Sequence, residues 1–329
     1  MTKLKELVNY IQPSNYLVKS TNYSDECDTP VLTPNKSFLL GYTNEENTFK
    51  RDCIIIDDFT LDVKYVDFPF MLKSSASKIL VSEQMDLYYL YYLLKTYPFV
   101  LNGHGRHYIS YVQEIEFDIP SLEEQQKIGS FFKELDELID LTKESIHYYE
   151  TVRKGIRQKI FAGEKIQISK LVSIRKGKQL NKDNFDNNGP YPVYNGAKKE
   201  IGYHSQYNEE GPKIIINEGG SSGTVFLIKS NFWASGHSYV LDIIEDIDIN
   251  ILFEALKKEE PKLKSMAYGA GIPSVKAIDI LNHYINLPII PYNKALDIFE
   301  NINCIIDELE CKVILLEQTK KYYLNKIFN

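Results

Sequence analysis

Between residues 122 and 160, seam positions recur in alternating steps of four and three: Ile128, Phe132, Leu135, Ile139, Thr142, Ile146, Tyr149, Arg153, Ile156 and Ile160. A repeat of 3.5 residues keeps one stripe on one face of an α-helix, and predicts a coiled-coil helix of about 35–40 residues, roughly 52–60 Å long. The stripe returns 167 residues later at Ala295, Phe299, Ile302, Ile306, Leu309, Val313, Leu316, Lys320, Tyr323 and Ile327. Even the basic interruption is in register, Lys320 matching Arg153, and both runs end in Lys-Ile-Phe, at Lys159–Phe161 and Lys326–Phe328. A hydrophobic-proline step, Ile119-Pro120 or Leu287-Pro288, precedes each run. So many matches in one register predict a duplicated unit. Because a whole domain separates the two helices, they can pair antiparallel within the chain, with the flanking domains at opposite ends and related by a pseudo-two-fold axis.

The flanking segments carry the mixed pattern of an α+β fold. In the first, Lys3–Val8 reads as a short helix, Thr29–Leu32 as extended, and Cys53-Ile54-Ile55-Ile56 as a buried strand that stops at Asp57-Asp58. A serine-rich turn at Ser74–Ser77 leads into Lys78–Val81, and Asp86–Leu94 has helical periodicity with a broad aromatic face suited to core packing. The second segment replays this skeleton. Leu171-Val172 echoes Leu7-Val8, Pro192-Val193-Tyr194 echoes Pro30-Val31-Leu32, and Gly202-Tyr203 echoes Gly41-Tyr42. Ile214–Glu218 falls where Ile54–Asp58 lay, and Phe232–Leu241 overlays the turn and strand ending at Leu80. The expected organisation is a tandem duplication: a mixed α/β domain over 1–120, a helical spacer over 121–165, a second α/β domain over 166–288 and a second spacer over 289–329.

A chain of 329 residues with 43% hydrophobic and 25% charged side chains is long enough for two domains with cores of their own. It has neither a run of apolar residues fit to span a membrane nor a signal-peptide core at its N-terminus, which predicts a cytoplasmic protein without membrane contact. Cys27, Cys53, Cys304 and Cys311 form no CxxC pair and read as reduced, unligated thiols. The net charge is −7, of which −5 falls in residues 1–120. That balance opposes long-range attraction to nucleic acid, but affinity depends on whether Lys and Arg gather on one face. An acidic DNA binder is expected to bind weakly alone and to lean on a basic partner.

Polar chemistry concentrates in loops. Asn102-Gly103-His104-Gly105-Arg106-His107-Tyr108 combines two glycines with side chains that point to an outward-facing polar surface. A metal site there would need further ligands, and a loop without function is the plain alternative. Nucleic-acid recognition suits it best, with Arg106 able to fork onto guanine or phosphate. In the second domain, Lys176-Gly177-Lys178 and Asn195–Lys199 set cations beside glycines, and Tyr268–Ser274 occupies the slot of the first domain's loop. Asn217–Gly223 lacks the GxxxxGK[ST] pattern of a phosphate loop, and a strand-like run follows it. Asp52 with Asp62-Val63-Lys64 only loosely imitates a metal-dependent nuclease. Nucleophile elbows, HExxH and the Asp/Asn-Pro-Pro-Tyr/Phe string of amino-methyltransferases are absent, so the chain is expected to do no chemistry itself.

The tandem layout, the string Ile119-Pro120-Ser121-Leu122-Glu123-Glu124-Gln125-Gln126-Lys127-Ile128 and the ending Gln158-Lys159-Ile160-Phe161 resemble the specificity subunit of type I restriction-modification enzymes over essentially the full length. The resemblance implies a non-catalytic scaffold whose two target-recognition domains each read half of a bipartite site in double-stranded DNA, with the helical repeats setting the gap. It implies two methyltransferase subunits that use S-adenosylmethionine for adenine N6 methylation, and restriction subunits driven by ATP and Mg2+. On that reading Lys64, Lys73, Ser74, His104, Arg106, His107 and Tyr108 contact DNA from the first domain. Lys178, Asn195, Lys198, Lys199, Ser221, Ser222, His237, Tyr268 and Ser274 do so from the second, and Glu123, Glu124, Gln125 and Lys127 dock a methyltransferase. The second helix departs from the pattern, with Ile289–Lys294 in place of Glu-Glu-Gln, so its docking contact is expected to differ. The same chain could serve a system with fused nuclease and methyltransferase, or act as a coiled-coil adaptor without DNA readout.

Overall fold

Continuous apolar runs form the centre of each half of the chain, and the strands around them repeat in one order. The computed structural model describes residues 1–19, 21–34, 37–101, 105–186, 188–269, 271 and 273–328. It divides into two units, Met1–Lys143 with Cys311–Asn329, and Glu144–Glu310. Each long helix is cut in its middle by that division, whereas the sequence boundaries give each helix a segment of its own.

The first unit holds β1 (Thr2–Lys3), α1 (Leu4–Leu7), β2 (Asn9–Ile11), β3 (Thr29–Leu32), β4 (Leu39–Thr43), β5 (Cys53–Asp57), β6 (Val63–Val66), β7 (Met71–Leu72), β8 (Ser77–Val81), α2 (Leu87–Thr96) and β9 (Glu116–Phe117), and the start of α3 (Leu122–Ile160). Antiparallel strands in the order β2-β8-β5-β6 make its main sheet. All five residues of β5 are buried, because the strand is central and covered on both faces. A second sheet, β4-β3-β7, contains the parallel pair β3–β7, and β1 pairs with β9. Helix α2 starts at Asp86, whose carboxylate accepts the Tyr89 N–H at 2.8 Å, and buries Tyr89, Leu90, Tyr92 and Leu94.

The second unit repeats the plan with β10 (Lys165–Gln167), β11 (Val172–Lys176), β12 (Tyr191–Tyr194), β13 (Gly202–His204), β14 (Lys213–Asn217), β15 (Val225–Ile228), β16 (Trp233–Ala234), β17 (Ser238–Ile243), α4 (Ile249–Ser265), α5 (Ala277–Asn282) and β18 (Tyr284–Asn286), and the start of α6 (Tyr292–Phe328). Its sheets run β11-β17-β14-β15, β13-β12-β16 and β10-β18, strand for strand the first unit's order. The register matches too: Ile54 faces Leu80 and Tyr65, and Ile214 faces Leu241 and Leu227. Helix α4, the counterpart of α2, has no forerunner among the sequence expectations. Despite the charged string Lys257–Glu260 followed by Pro261, Leu252, Ala255, Leu256 and Leu263 are buried and Asp248 caps its start.

The shared register exposes one systematic replacement. Ile11, Phe49, Cys53 and Val81 belong to one apolar cluster of the first unit. The strand pairings put Arg175, Glu209, Lys213 and Asp242 at the same four positions of the second. There Arg175 forks onto Glu209 and also donates to Asp242 at 2.7 Å, while Lys213 bonds the other oxygen of Asp242 at 2.5 Å. Part of a hydrophobic patch has become an ion network, whose stabilisation depends on ionisation and is screened by salt where it meets solvent.

Within each unit the two long helices run antiparallel. In the first, Phe131 stacks edge-on against Tyr323 at 5.1 Å, Asp136 pairs with Lys320, and Lys143 reaches Glu317 at 2.7 Å. In the second, Arg153 donates to Asn303 at 2.7 Å and Phe161 meets Phe299 at 6.0 Å. The two central polar pairs are each other's counterparts, since Asn303 and Lys320 stand 167 residues after Asp136 and Arg153. Phe132, Leu135, Ile139, Thr142, Ala295, Phe299, Ile302, Ile306 and Val313 of the expected seam are buried. Tyr323 and Ile327 are not, at 36% and 39% exposure; Phe328 turns in instead, 5.5 Å from Tyr89 and 6.0 Å from Phe132.

Burial raises the Asp242 carboxyl, but Lys213 and Arg175 outweigh it and hold the group below the usual carboxylate range. A depressed folded value means that its stabilisation is present above the unfolded value, about 4, and is lost as pH falls through the folded one. Hydrogen exchange measured below pH 4 is therefore expected to show β11, β14 and β17 losing protection while β2, β5 and β8 retain theirs. Equal loss in both sheets would contradict this role of the network.

Candidate nucleic-acid interface

In the first unit, β5 ends by delivering Asp58 beneath the loop before α3. Asp58 is 1% exposed and its Oδ1 accepts the Tyr108 N–H at 2.8 Å. Its Oδ2 lies 3.2 Å from the Nζ of Lys78, itself 3% exposed, and 4.0 Å from the Nε of Arg106. The Arg106 guanidinium also donates to the Ser75 hydroxyl at 3.4 Å, and its side chain stays more than half exposed. Ser74 Oγ shapes the same turn by accepting the Ala76 N–H at 3.1 Å, and Lys73 stands 4.7 Å over the Tyr23 ring. Lys73, Ser74 and Arg106 are thereby brought to one surface.

Several expected contacts lie elsewhere. Tyr108 is 1% exposed, with its ring 5.1 Å from Tyr10 and its phenol pushed up by burial, so it is a core residue. His107 is also buried, because its N–H bonds Asp58 O at 3.0 Å and draws the side chain inward; its Nε2 has no hydrogen-bond partner. His104 lies outside the described residues. Lys64 pairs with Asp62 at 2.9 Å and lines a cleft of about 620 Å3 with Tyr65, Tyr88, Tyr91 and Lys320, none of them on the Arg106 loop. Beneath that cleft Tyr88 and Tyr92 both donate to Asp136, and burial together with that carboxylate pushes both phenols up.

In the second unit the glycine-rich segments lock together. Asn217 donates from Nδ2 to Ala197 O and to Ser221 Oγ, each at 2.7 Å, and the Ser221 N–H bonds Gly196 O at 2.7 Å. Gly196 and Gly220 have φ of +73° and +71°, and a Cβ on either would come within 2.6 Å of a carbonyl oxygen across the junction. Asn195 Oδ1 accepts the His237 N–H at 3.0 Å, so Asn195, Lys198, Lys199, Ser221 and His237 share one surface. Ser222 is not part of it: 6% exposed, it donates to Pro273 O and pins the following loop from inside. That loop closes where Tyr268 and Ser274 exchange N–H···O bonds of 3.0 Å, leaving Tyr268 exposed with Lys276 4.7 Å over its ring. Lys178 is exposed beside Trp233, whose indole N–H donates to its carbonyl at 2.9 Å.

At the start of α3, Glu123 and Lys127 pair with each other at 2.7 Å in solvent, and Glu124 is exposed. Gln125 is 2% exposed: its Nε2 donates to Pro120 O at 3.0 Å and its Oε1 accepts the Asp86 N–H at 3.2 Å. It fixes the helix start against α2 and offers nothing to a partner. Sequence reasoning passed over an exposed apolar set in the first unit, Phe131 and Leu138 on α3 and Leu315 and Tyr322 on α6, seven residues apart on each helix. That spacing was its visible signal.

The profile of the type I restriction modification DNA specificity domain matches residues 1–147 and again 163–315. The chain belongs to this family. It is 40% identical over 146 residues to the specificity subunit of an Escherichia coli type I restriction enzyme, an alignment covering 42% of this chain and 36% of that one. A putative type I specificity subunit of Mycoplasma genitalium is 26% identical over 49% of this chain and 43% of its own. The chain thus aligns with about two fifths of the length of these relatives. The type I specificity subunit crystal structure from M. genitalium shares the fold over 100% of this chain and 95% of that one, with a TM-score of 0.73 at 18% identity. Among the described residues no helix is long and apolar enough to cross a membrane.

Gly196→Ala should strain the locked loops by about 1–3 kcal/mol and lower the melting temperature by several degrees, whereas Gly155→Ala, with nothing within 4 Å of its Cβ on α3, should raise it. Thermal unfolding of both variants checks this. Equal shifts would refute the assignment of strain.

Proposed function

We propose that this chain is the sequence-reading subunit of a type I restriction-modification complex, without catalytic chemistry of its own. The observation that carries the reading is the duplication of one scaffold with unlike polar loops: an Arg106 surface in the first unit and a lysine and glycine surface in the second. One scaffold with two loop sets suits two different half-sites on double-stranded DNA. The paired helices set the gap between them, because a helix rises 1.5 Å per residue and its length is fixed by its sequence. Phosphate contacts come from Lys73, Lys178, Lys198 and Lys199, and base contacts from Arg106, Asn195, His237, Tyr268 and Ser274.

Two methyltransferase subunits dock on the duplicated scaffold, one of them at Glu123, Glu124 and Lys127 and along the exposed set of Phe131, Leu138, Leu315 and Tyr322, the other through a different contact at the second helix. They bring S-adenosylmethionine-dependent adenine N6 methylation and much of the charge that neutralises phosphate. Restriction subunits add ATP- and Mg2+-dependent translocation and cleavage, and the assembly works in the cytoplasm. Mapping methylated adenines in DNA from cells that carry the chain with its partners tests the reading directly. A bipartite methylated sequence is expected. Arg106→Ala should relax or weaken one half of it, by about 1–3 kcal/mol for a forked base contact, and leave the other half intact. An unchanged pattern would remove Arg106 from recognition, and absence of any sequence-specific methylation would refute the proposal.

A further inference from the structure

Asp58 and Glu218 occupy the same place in the two units, the residue just after the central strand, and they make the same backbone contacts there. The Asp58 N–H bonds Ala76 O and its carbonyl accepts the His107 N–H; the Glu218 N–H bonds His237 O and its carbonyl accepts the Val275 N–H, all at 2.9–3.0 Å. Each residue therefore fastens the segment that closes its unit's recognition loop. Both side chains are acidic, and both face an exposed cationic or imidazole side chain of the candidate interface, Arg106 in the first unit and His237 in the second. Asp58 holds Lys78 and Arg106. Glu218 holds Lys176 at 2.7 Å, has the His237 ring at 3.8 Å, and accepts the Tyr239 hydroxyl at 3.2 Å. Burial and this carboxylate push the Tyr239 phenol up to about 12, so it stays a donor.

An acidic group at the edge of a DNA-reading surface opposes phosphate binding, so its presence at the same point of both units calls for a physical role. Resting on the DNA-reading function above, we infer that Asp58 and Glu218 are duplicated positioning residues. Each tethers exposed cations of its own unit, Arg106 in the first and Lys176 and His237 in the second, so that they meet base edges in a fixed direction instead of settling on any phosphate. The carboxylate lowers non-specific affinity and in return raises discrimination, because a cation tied at one end reaches only a correctly placed acceptor. A residue serving stability alone would give the opposite signature on removal, weaker binding to all sequences.

The test uses the full chain with its methyltransferase partner. Glu218→Gln keeps size and hydrogen-bonding capacity while freeing Lys176 and His237. Asp58→Asn is made together with Lys78→Met, so that no buried ammonium is stranded and only Arg106 is released. Binding to random-sequence duplex DNA should tighten in both variants, with the slope of log affinity against log salt steeper by about 0.9 for each additional phosphate neutralised. Methylation maps should show one half-site relaxed roughly 10- to 100-fold in base preference, the one read by the altered unit, with the other intact. Unchanged maps, or weaker binding to every sequence with unaltered preference, would overturn the inference, and melting curves identify a variant that has merely unfolded. In that event Asp58→Glu and Glu218→Asp, which keep the charge and shift its reach, should still degrade only their own half-site. A wild-type complex without any sequence preference would defeat the DNA-reading function itself, a result distinct from failure of the tether.

Discussion

The pairing register of the two long helices holds the end of the chain to its middle. An antiparallel seam of apolar side chains would tolerate sliding by a heptad, because each step of seven offers a similar hydrophobic face. Polar pairs do not. Asp136 must meet Lys320 while also receiving the hydroxyls of Tyr88 and Tyr92, and Arg153 must meet Asn303. A slip by one heptad would part Lys320 from Asp136 and Arg153 from Asn303, and polar groups left unpaired in a partly buried seam cost about 1–3 kcal/mol each. The register thereby joins the end of the chain to its beginning, since it brings Phe328 against Tyr89 and Phe132 in the first unit's core.

Duplication explains why this arrangement satisfies itself, and divergence explains what it is for. Every strand of one unit has a counterpart in the other, in the same order and register. The apolar skeleton has changed little, whereas the loops at its edge have changed in charge, length and glycine content. Even inside the skeleton one patch has moved from hydrophobic contact to an ion network. Shared acidic character at Asp58 and Glu218, beneath otherwise unlike loops, separates the machinery of presentation from what is presented.

Much of this was legible in the chain because it rests on periodicity. A 3.5-residue repeat seen twice specifies two helices, and a run such as Cys53–Ile56 or Ile214–Ile216 specifies a central strand. The strand echoes were legible because β5 and β14 must bury both faces and so keep their composition. The direction in which a polar side chain turns was not legible. His107, Tyr108, Gln125 and Ser222 share the polar character of their exposed neighbours, but each has a backbone or core partner distant in sequence that draws it inward. Helix α4 was hidden by Lys257–Pro261, whose charges are satisfied by neighbours: Lys257 and Lys264 both pair with Glu260, and the buried Glu259 pairs with Lys262 and His283. The network of Arg175, Glu209, Lys213 and Asp242 depends on three strand pairings, which no local pattern announces.

On the proposed function, the helix pair sets the gap between the two half-sites on DNA. Removing one heptad from each helix, residues 139–145 and 306–312, leaves the Asp136–Lys320 and Arg153–Asn303 pairs intact and shortens the pair by roughly 10 Å, about three base pairs of DNA. Methylated adenines mapped in cells carrying that variant with its partners are expected at the same two half-sites, with the gap reduced by about that amount. The same half-sites at an unaltered gap would show that the helices do not set it.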